Sequence, residues 1–218
     1  MKMKFSIDKL KTMQKECIRQ FTAIDQIKLE DIKKIAGFDI TYDKDELICV
    51  GIIIDAKTFE ILEQKQIIIK APMKYIPGFL AFREGPAIMQ VYYDFETEPD
   101  LIMIDEPGIA HPSKCGLATF VGVELMKPTI GISIKTSIEE IKDGNLMLNE
   151  EIVGKEIKTR EHARPVYVSS GNMMCLETAE KIVNKTIIYP HKMPEALHKA
   201  HKLVNKLLKE KRNKKSKL

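Results

Sequence analysis

Ile35-Ala36-Gly37-Phe38-Asp39-Ile40-Thr41-Tyr42, Leu47-Ile48-Cys49-Val50-Gly51-Ile52-Ile53-Ile54 and the run from Phe59 to Ile69 succeed one another with only short polar links between them. Runs of this kind, bounded by turn-forming residues, predict strands. The link Asp43-Lys44-Asp45-Glu46 is short enough for a hairpin, and the link that begins at Asp55 is equally short. Three consecutive antiparallel strands are therefore expected.

Working outward, Ile7, Leu10, Met13, Cys17 and Phe21 recur at helical spacing and predict an amphipathic helix over 7–21. C-terminal to the strands the pattern changes. A helix is expected over 77–93, interrupted at Gly85-Pro86. A short buried strand follows over 101–104, ending in Asp105, then a helix rich in small residues over 115–125 and a strand over 128–134. Residues 141–161 are polar and hairpin-like, 166–169 form a further strand, and 177–184 and 194–209 are helical. Three antiparallel strands followed by alternating helices and strands predict an α/β fold of ribonuclease H-like pattern. Its mixed β-sheet has three antiparallel strands, then parallel strands, with helices on both faces. There is no internal repeat or low-complexity linker, so one domain is expected over 1–209, followed by a basic, flexible tail over 210–218.

The 218 residues are 44% hydrophobic and 30% charged, which excludes wholesale disorder and a collagen-like fibre. The longest apolar stretch, Leu47 to Ile54, falls far short of the roughly 20 residues a membrane span requires. The N-terminus MKMKFSIDKL lacks the apolar segment of a secretory signal. Cys17, Cys49, Cys115 and Cys175 form no CxxC pair. They read as reduced thiols of a cytoplasmic protein, and a monomer without membrane contact is expected. Of the net charge of +4, residues 202–218 carry +7, with eight basic residues against Glu210, which leaves −3 on the rest. Such a tail is either a solvated terminus or an arm that contacts phosphates.

Asp39 lies in the middle of a strand, where a carboxylate is expensive unless it is paired, protonated or holding a metal. Asp105 ends the apolar run Leu101-Ile102-Met103-Ile104, at the carboxyl end where open α/β sheets place their ligands. If the first and fourth strands are parallel neighbours, the two aspartates face one crevice. The plain alternative for Asp105 is a turn aspartate. As a pair they suit magnesium, which takes one or two protein carboxylates and leaves positions for water and phosphate oxygens. Phosphodiester hydrolysis uses such ions.

Two further strings sharpen this reading: Tyr75-Ile76-Pro77-Gly78-Phe79-Leu80-Ala81-Phe82-Arg83-Glu84-Gly85-Pro86, and Asp105-Glu106-Pro107-Gly108-Ile109-Ala110-His111-Pro112 with the later Pro128-Thr129-Ile130-Gly131. Together they resemble the endonuclease V family over roughly residues 31–203. The resemblance implies a ribonuclease H-like, magnesium-dependent endonuclease (manganese substituting) of DNA repair. Such an enzyme cuts DNA at the second phosphodiester bond 3′ to deoxyinosine. It implies metal ligation by Asp39, Glu84 and Asp105, with His111, His201 and Lys135 as further catalytic positions. It implies a wedge loop at Tyr75, Ile76 and Pro77 that enters the strand beside the lesion, where an aromatic ring can stack. Gly78, Leu80, Gly108 and Gly131 match positions lining a pocket for the extruded base.

The chain also departs from the family pattern. Lys74 stands before Tyr75 in place of proline. Glu106 and Pro107 follow Asp105 in place of glycine, and Ser113 follows His111-Pro112 in place of arginine. The family's lysine position falls on Ile134, with Lys135 one residue later, and a shift of one residue in a strand turns the side chain to the other face. Ser169-Ser170-Gly171-Asn172 lacks the family's proline and histidine. An inosine-directed ribonuclease and a protein that binds inosine-containing strands without cutting them are the alternatives.

Overall fold

The computed structural model describes residues 6–160 and 163–215. Residues 1–5 and the last three residues of the basic terminus lie outside the described residues. Helix α1 (Ile7–Gln20) starts where the Ser6 hydroxyl accepts a hydrogen bond from the Lys9 amide, with Asp8 in its first turn and Arg19 in its last. Both charges suit the helix dipole. Strands β1 (Lys34–Asp43), β2 (Glu46–Asp55) and β3 (Ile61–Lys70) form the expected antiparallel meander.

Helix α2 (Leu80–Tyr93) runs unbroken through Gly85-Pro86, where an interruption was expected. A proline within a helix frees one carbonyl. Here the buried face of Ala81, Phe82, Ala87, Ile88 and Val91 outweighs that loss. Gly85 serves close packing, since a Cβ there would lie 2.6 Å from the Phe120 ring.

Next come β4 (Leu101–Ile104), α3 (Leu117–Leu125) and β5 (Thr129–Ser133), then β6 (Glu140–Lys142), β7 (Asn145–Leu148), β8 (Glu151–Ile157) and β9 (Val166–Asn172). Helices α4 (Leu176–Thr186) and α5 (Glu195–Lys215) close the chain. The sheet order is β3-β2-β1-β4-β5-β9-β8-β7-β6. Strands β1, β4 and β5 are mutually parallel, as expected, whereas β9 returns antiparallel to β5. The polar 141–161 region supplies three strands that widen the sheet.

Side-chain alternation on the strands separates two apolar cores. Ala36, Phe38, Leu47, Cys49, Ile102 and Ile104 face α1, α2 and α3. Ile35, Ile48, Val50, Leu101, Met103 and Ile130 face α4 and α5. Helix α5 comes very close to β1, because a Cβ on Gly37 would lie 2.5 Å from the backbone of Ala196. Helix α5 also extends to Lys215, well into the stretch expected to be a flexible tail from residue 210. Lys211 folds back onto Glu46, at 2.6 Å, and Asp43, at 3.7 Å. No helix among the described residues is long and apolar enough to cross a membrane.

Candidate active site

Strand β4 has four residues and pairs with the first half of the ten-residue β1, from Ile35↔Leu101 to Phe38↔Ile104. Beyond Ile104 the second half of β1 has no neighbour on that side, and a cleft of about 360 Å³ opens. Asp39 is the first β1 residue past the end of the pairing. Asp105 is the first past β4, its amide bonded to the Phe38 carbonyl at 3.3 Å. The parallel pairing thus sets both carboxylates at one point, on the carboxyl ends of two strands.

His201 reaches the same point from α5. Its Nδ1 lies 2.8 Å from Asp39 Oδ2, and its Nε2 lies 3.0 Å from Asn205 Nδ2. The amide of Asn205 donates to Nε2, so Nδ1–H donates to Asp39. Asp39, Asp105 and His201 each offer one ligand atom within 4.8 Å of the others. The two carboxylate oxygens form a donor pair that fits a divalent cation, with the imidazole beside them engaged on both nitrogens by Asp39 and Asn205.

The electrostatics agree with that fit. Burial pushes the Asp105 carboxyl up to about 7, and the charge of Asp39 adds to the effect. Burial raises Asp39 as well, against the hydrogen bond from His201. Glu106 lines the same cleft and rises to about 8, through burial and the charges of Glu84, Asp105 and Asp39. A cation among these acids would offset both burial and repulsion.

Glu84 lines the cleft from α2, on the opposite face of the sheet from α5. It is 5% exposed, and burial lifts it to about 7. Its carboxylate accepts a hydrogen bond from the Tyr42 hydroxyl. It does not belong to the Asp39–Asp105–His201 group. Arg83 Nε donates to the same tyrosine oxygen at 3.1 Å, and Arg83 Nη1 donates to the Met73 carbonyl. A short network therefore joins Glu84 to the backbone just before Tyr75.

The remaining expected positions divide. Lys135 lines the cleft. Strand β5 ends at Ser133, whose hydroxyl bonds the Lys135 carbonyl at 2.7 Å, so strand alternation no longer governs the two residues that follow. His111 does not line the cleft. Its Nδ1 accepts from the Ser113 amide at 3.2 Å and lies 2.9 Å from the Ser113 hydroxyl, and burial lowers its pKa. Tyr75 stands 63% exposed on the loop before α2, with Ile76 and Pro77 beside it. Gly78 adopts φ +81°, with its carbonyl accepting from Gln14 at 2.8 Å, and Leu80 opens α2. Gly108 and Gly131 are packed backbone to backbone. A Cβ on Gly108 would lie 2.0 Å from the Ser170 carbonyl oxygen, and one on Gly131 would lie 2.3 Å from the Gly108 amide nitrogen. Asn172 is buried away from the cleft, donating to the Gly122 carbonyl at 2.9 Å and accepting from the Thr22 amide at 3.1 Å.

Sequence reasoning missed Tyr42 and Asn205. Tyr42 had a weak signal, as a hydroxyl on the strand that carries Asp39. Asn205 had one too, four residues after His201 and thus on the same helical face.

The endonuclease V family model matches residues 15–202. An endonuclease V of Clostridium acetobutylicum is 33% identical over 204 residues, covering 87% of each chain. The crystal structure of the Bacillus subtilis endonuclease V superposes with a TM-score of 0.89 at 27% identity, covering 97% of this chain and 95% of that one. The Ciona intestinalis endonuclease V, crystallised with a 24mer DNA containing an inosine followed by a ribo-adenosine, shares the fold. Its TM-score is 0.84 at 23% identity, over 94% of this chain and 98% of that one. With its β1–β4 cleft and these relatives, the chain belongs to the endonuclease V family.

Proposed function

We propose that this chain is a magnesium-dependent endonuclease (manganese substituting) that acts at deoxyinosine in DNA and hydrolyses the second phosphodiester bond 3′ to it. The observation that carries the reading is the convergence of Asp39, Asp105 and His201 in one cleft of an endonuclease V family member. The inosine-containing DNA held by the Ciona relative supports the choice of substrate.

In this reading Asp39 and Asp105 would hold the metal, Glu84 would complete the set from the cleft wall outside that converging pair, and a bound divalent cation would supply a Lewis acid that activates water and offsets phosphate charge. The chain's own groups do the rest. His201 orients the Asp39 carboxylate through Nδ1–H, while Asn205 fixes the imidazole tautomer. Tyr42 positions Glu84. Lys135 brings a positive charge to the cleft wall, suited to a phosphate oxygen. Tyr75, exposed on its loop, is the ring available to stack beside an extruded base.

The test is cleavage of end-labelled DNA and RNA oligonucleotides, with and without one inosine, in magnesium or EDTA. A single magnesium-dependent cut in the DNA at the second bond 3′ to inosine is expected. A cut confined to RNA would replace the substrate, and tight inosine binding without a cut would replace the activity with recognition alone.

A further inference from the structure

The exposed face of α5 begins at the cleft and leads away from it. His201 stands at the cleft, and Lys202, Lys206, Lys209 and Arg212 follow on the side opposite Val204, the residue that α5 buries in the core. At 100° per residue the four cations fall within a sector of about 120°, with His201 at its edge. Between Lys202 and Arg212 the helix rises about 15 Å. All four side chains belong to exposed residues. Among the described residues Lys202, Lys209 and Arg212 make no ion pair, and Lys206 has only a long one, 3.9 Å to Glu210. Lys211 points elsewhere, tied to Glu46 and Asp43.

We infer that this face of α5 is a phosphate track, along which the backbone of the bound nucleic-acid strand runs away from the cleft. A strand laid beside about 15 Å of helix presents several successive phosphates to it. Four cations spaced about one helical turn apart supply the counter-charges for such a row. As far as Lys215 the basic stretch is therefore a helical element that continues the site. The inference deepens the nuclease reading, because it names the surface that holds the strand beyond the cut.

The test is equilibrium binding without metal, so that it depends neither on cleavage nor on inosine. A fluorescent 24-base-pair DNA, unmodified or with one inosine, is titrated with the full chain between 50 and 200 mM salt. The quadruple variant Lys202→Gln, Lys206→Gln, Lys209→Gln, Arg212→Gln is compared with Lys211→Gln and with a variant carrying arginine at the three lysine positions. Each phosphate contact adds about 0.9 to the slope of log affinity against log salt. The quadruple glutamine variant is expected to lose 3–4 from that slope, equally on both DNAs. Over this salt range that is roughly a hundredfold difference in lost affinity. The arginine variant keeps the slope, as does Lys211→Gln. Matching circular dichroism and unfolding temperatures establish that the quadruple variant is folded. An unchanged slope in a folded quadruple variant overturns the inference. So does an unchanged slope accompanied by lost binding to phosphatidylserine vesicles, which would assign the face to an anionic membrane surface. Failure of the nuclease reading would show instead as absent cleavage with the salt slopes as expected.

Discussion

Removing metal from this protein should make its stability fall as the pH rises from 6.5 to 9. Glu84 and Asp105 are pushed up to about 7 and Glu106 to about 8, all mainly by burial. In the unfolded chain these groups titrate near 4, so above pH 6.5 the unfolded state holds none of their protons while the folded state still holds some. Stability falls with pH wherever the folded state binds more protons. Integrated from pH 6.5 to 9, the loss is about 1 kcal/mol at each group near 7 and about 2 kcal/mol at Glu106. Because each charge raises the others, the total is about 2–4 kcal/mol. For a chain of this size that lowers the unfolding temperature by roughly 5–15 °C. His111 and His198 have lowered pKa values, so they act in the opposite direction, mainly below pH 6.5, and offset at most about 0.4 kcal/mol each in the lowest part of the window. Calorimetry or thermal denaturation in EDTA across the window is the assay, repeated in excess magnesium. The cation takes the place of the protons, so the fall should shrink to less than half. Glu106→Gln should remove about half of the metal-free fall and raise stability at pH 9. An unfolding temperature that is flat or rises with pH in EDTA would refute the reasoning.

Other perturbations test individual elements. Asp105→Ala should abolish cleavage and leave binding to inosine-containing DNA within a few-fold of the parent, measured by single-turnover cleavage and by anisotropy. Tyr42→Phe removes the hydroxyl that meets both Glu84 and Arg83, and should cost about 10–100-fold in activity, partly recovered at higher magnesium. Unchanged kinetics at low magnesium would remove Tyr42 from the site. Gly37→Ala drives a methyl to 2.5 Å from the Ala196 backbone and should cost about 1–3 kcal/mol, a drop of several degrees in unfolding temperature. An increase in stability would show that α5 does not pack as closely as described.

Local pattern made much of the architecture legible. β1, β2 and β3 declared themselves because their apolar runs are long and their links short, and β4 was read as it stands. The Gly85-Pro86 pair misled, because proline's local cost is visible in sequence while the burial that outweighs it is not. The antiparallel return of β9 was equally hidden, since strand direction depends on which edge is free when the strand arrives. The expected tail beyond residue 209 hid a helix for a related reason. Its lysines look like a solvated terminus, but Leu203, Leu207 and Leu208 pack on the second core and carry the helix onward.

For the site, the residue types were written in the chain, and the tertiary structure decided which of them meet. A strand aspartate and a strand-end aspartate suit a cation only where they meet. Only the parallel register of β1 and β4 puts Asp39 beside Asp105, and only the close approach of α5 over Gly37 brings His201, 162 residues away, onto the same carboxylate. Glu84 reaches the cleft from the other face of the sheet, and there it is held by Tyr42. His111, by contrast, is kept from the cleft by its own turn. The chain by itself determined the strands, the helices and the chemistry available, because those follow from short-range spacing and from side-chain type. Which carboxylates share a cleft, and which imidazole joins them, depends on long-range packing, and no spacing along the chain encodes that.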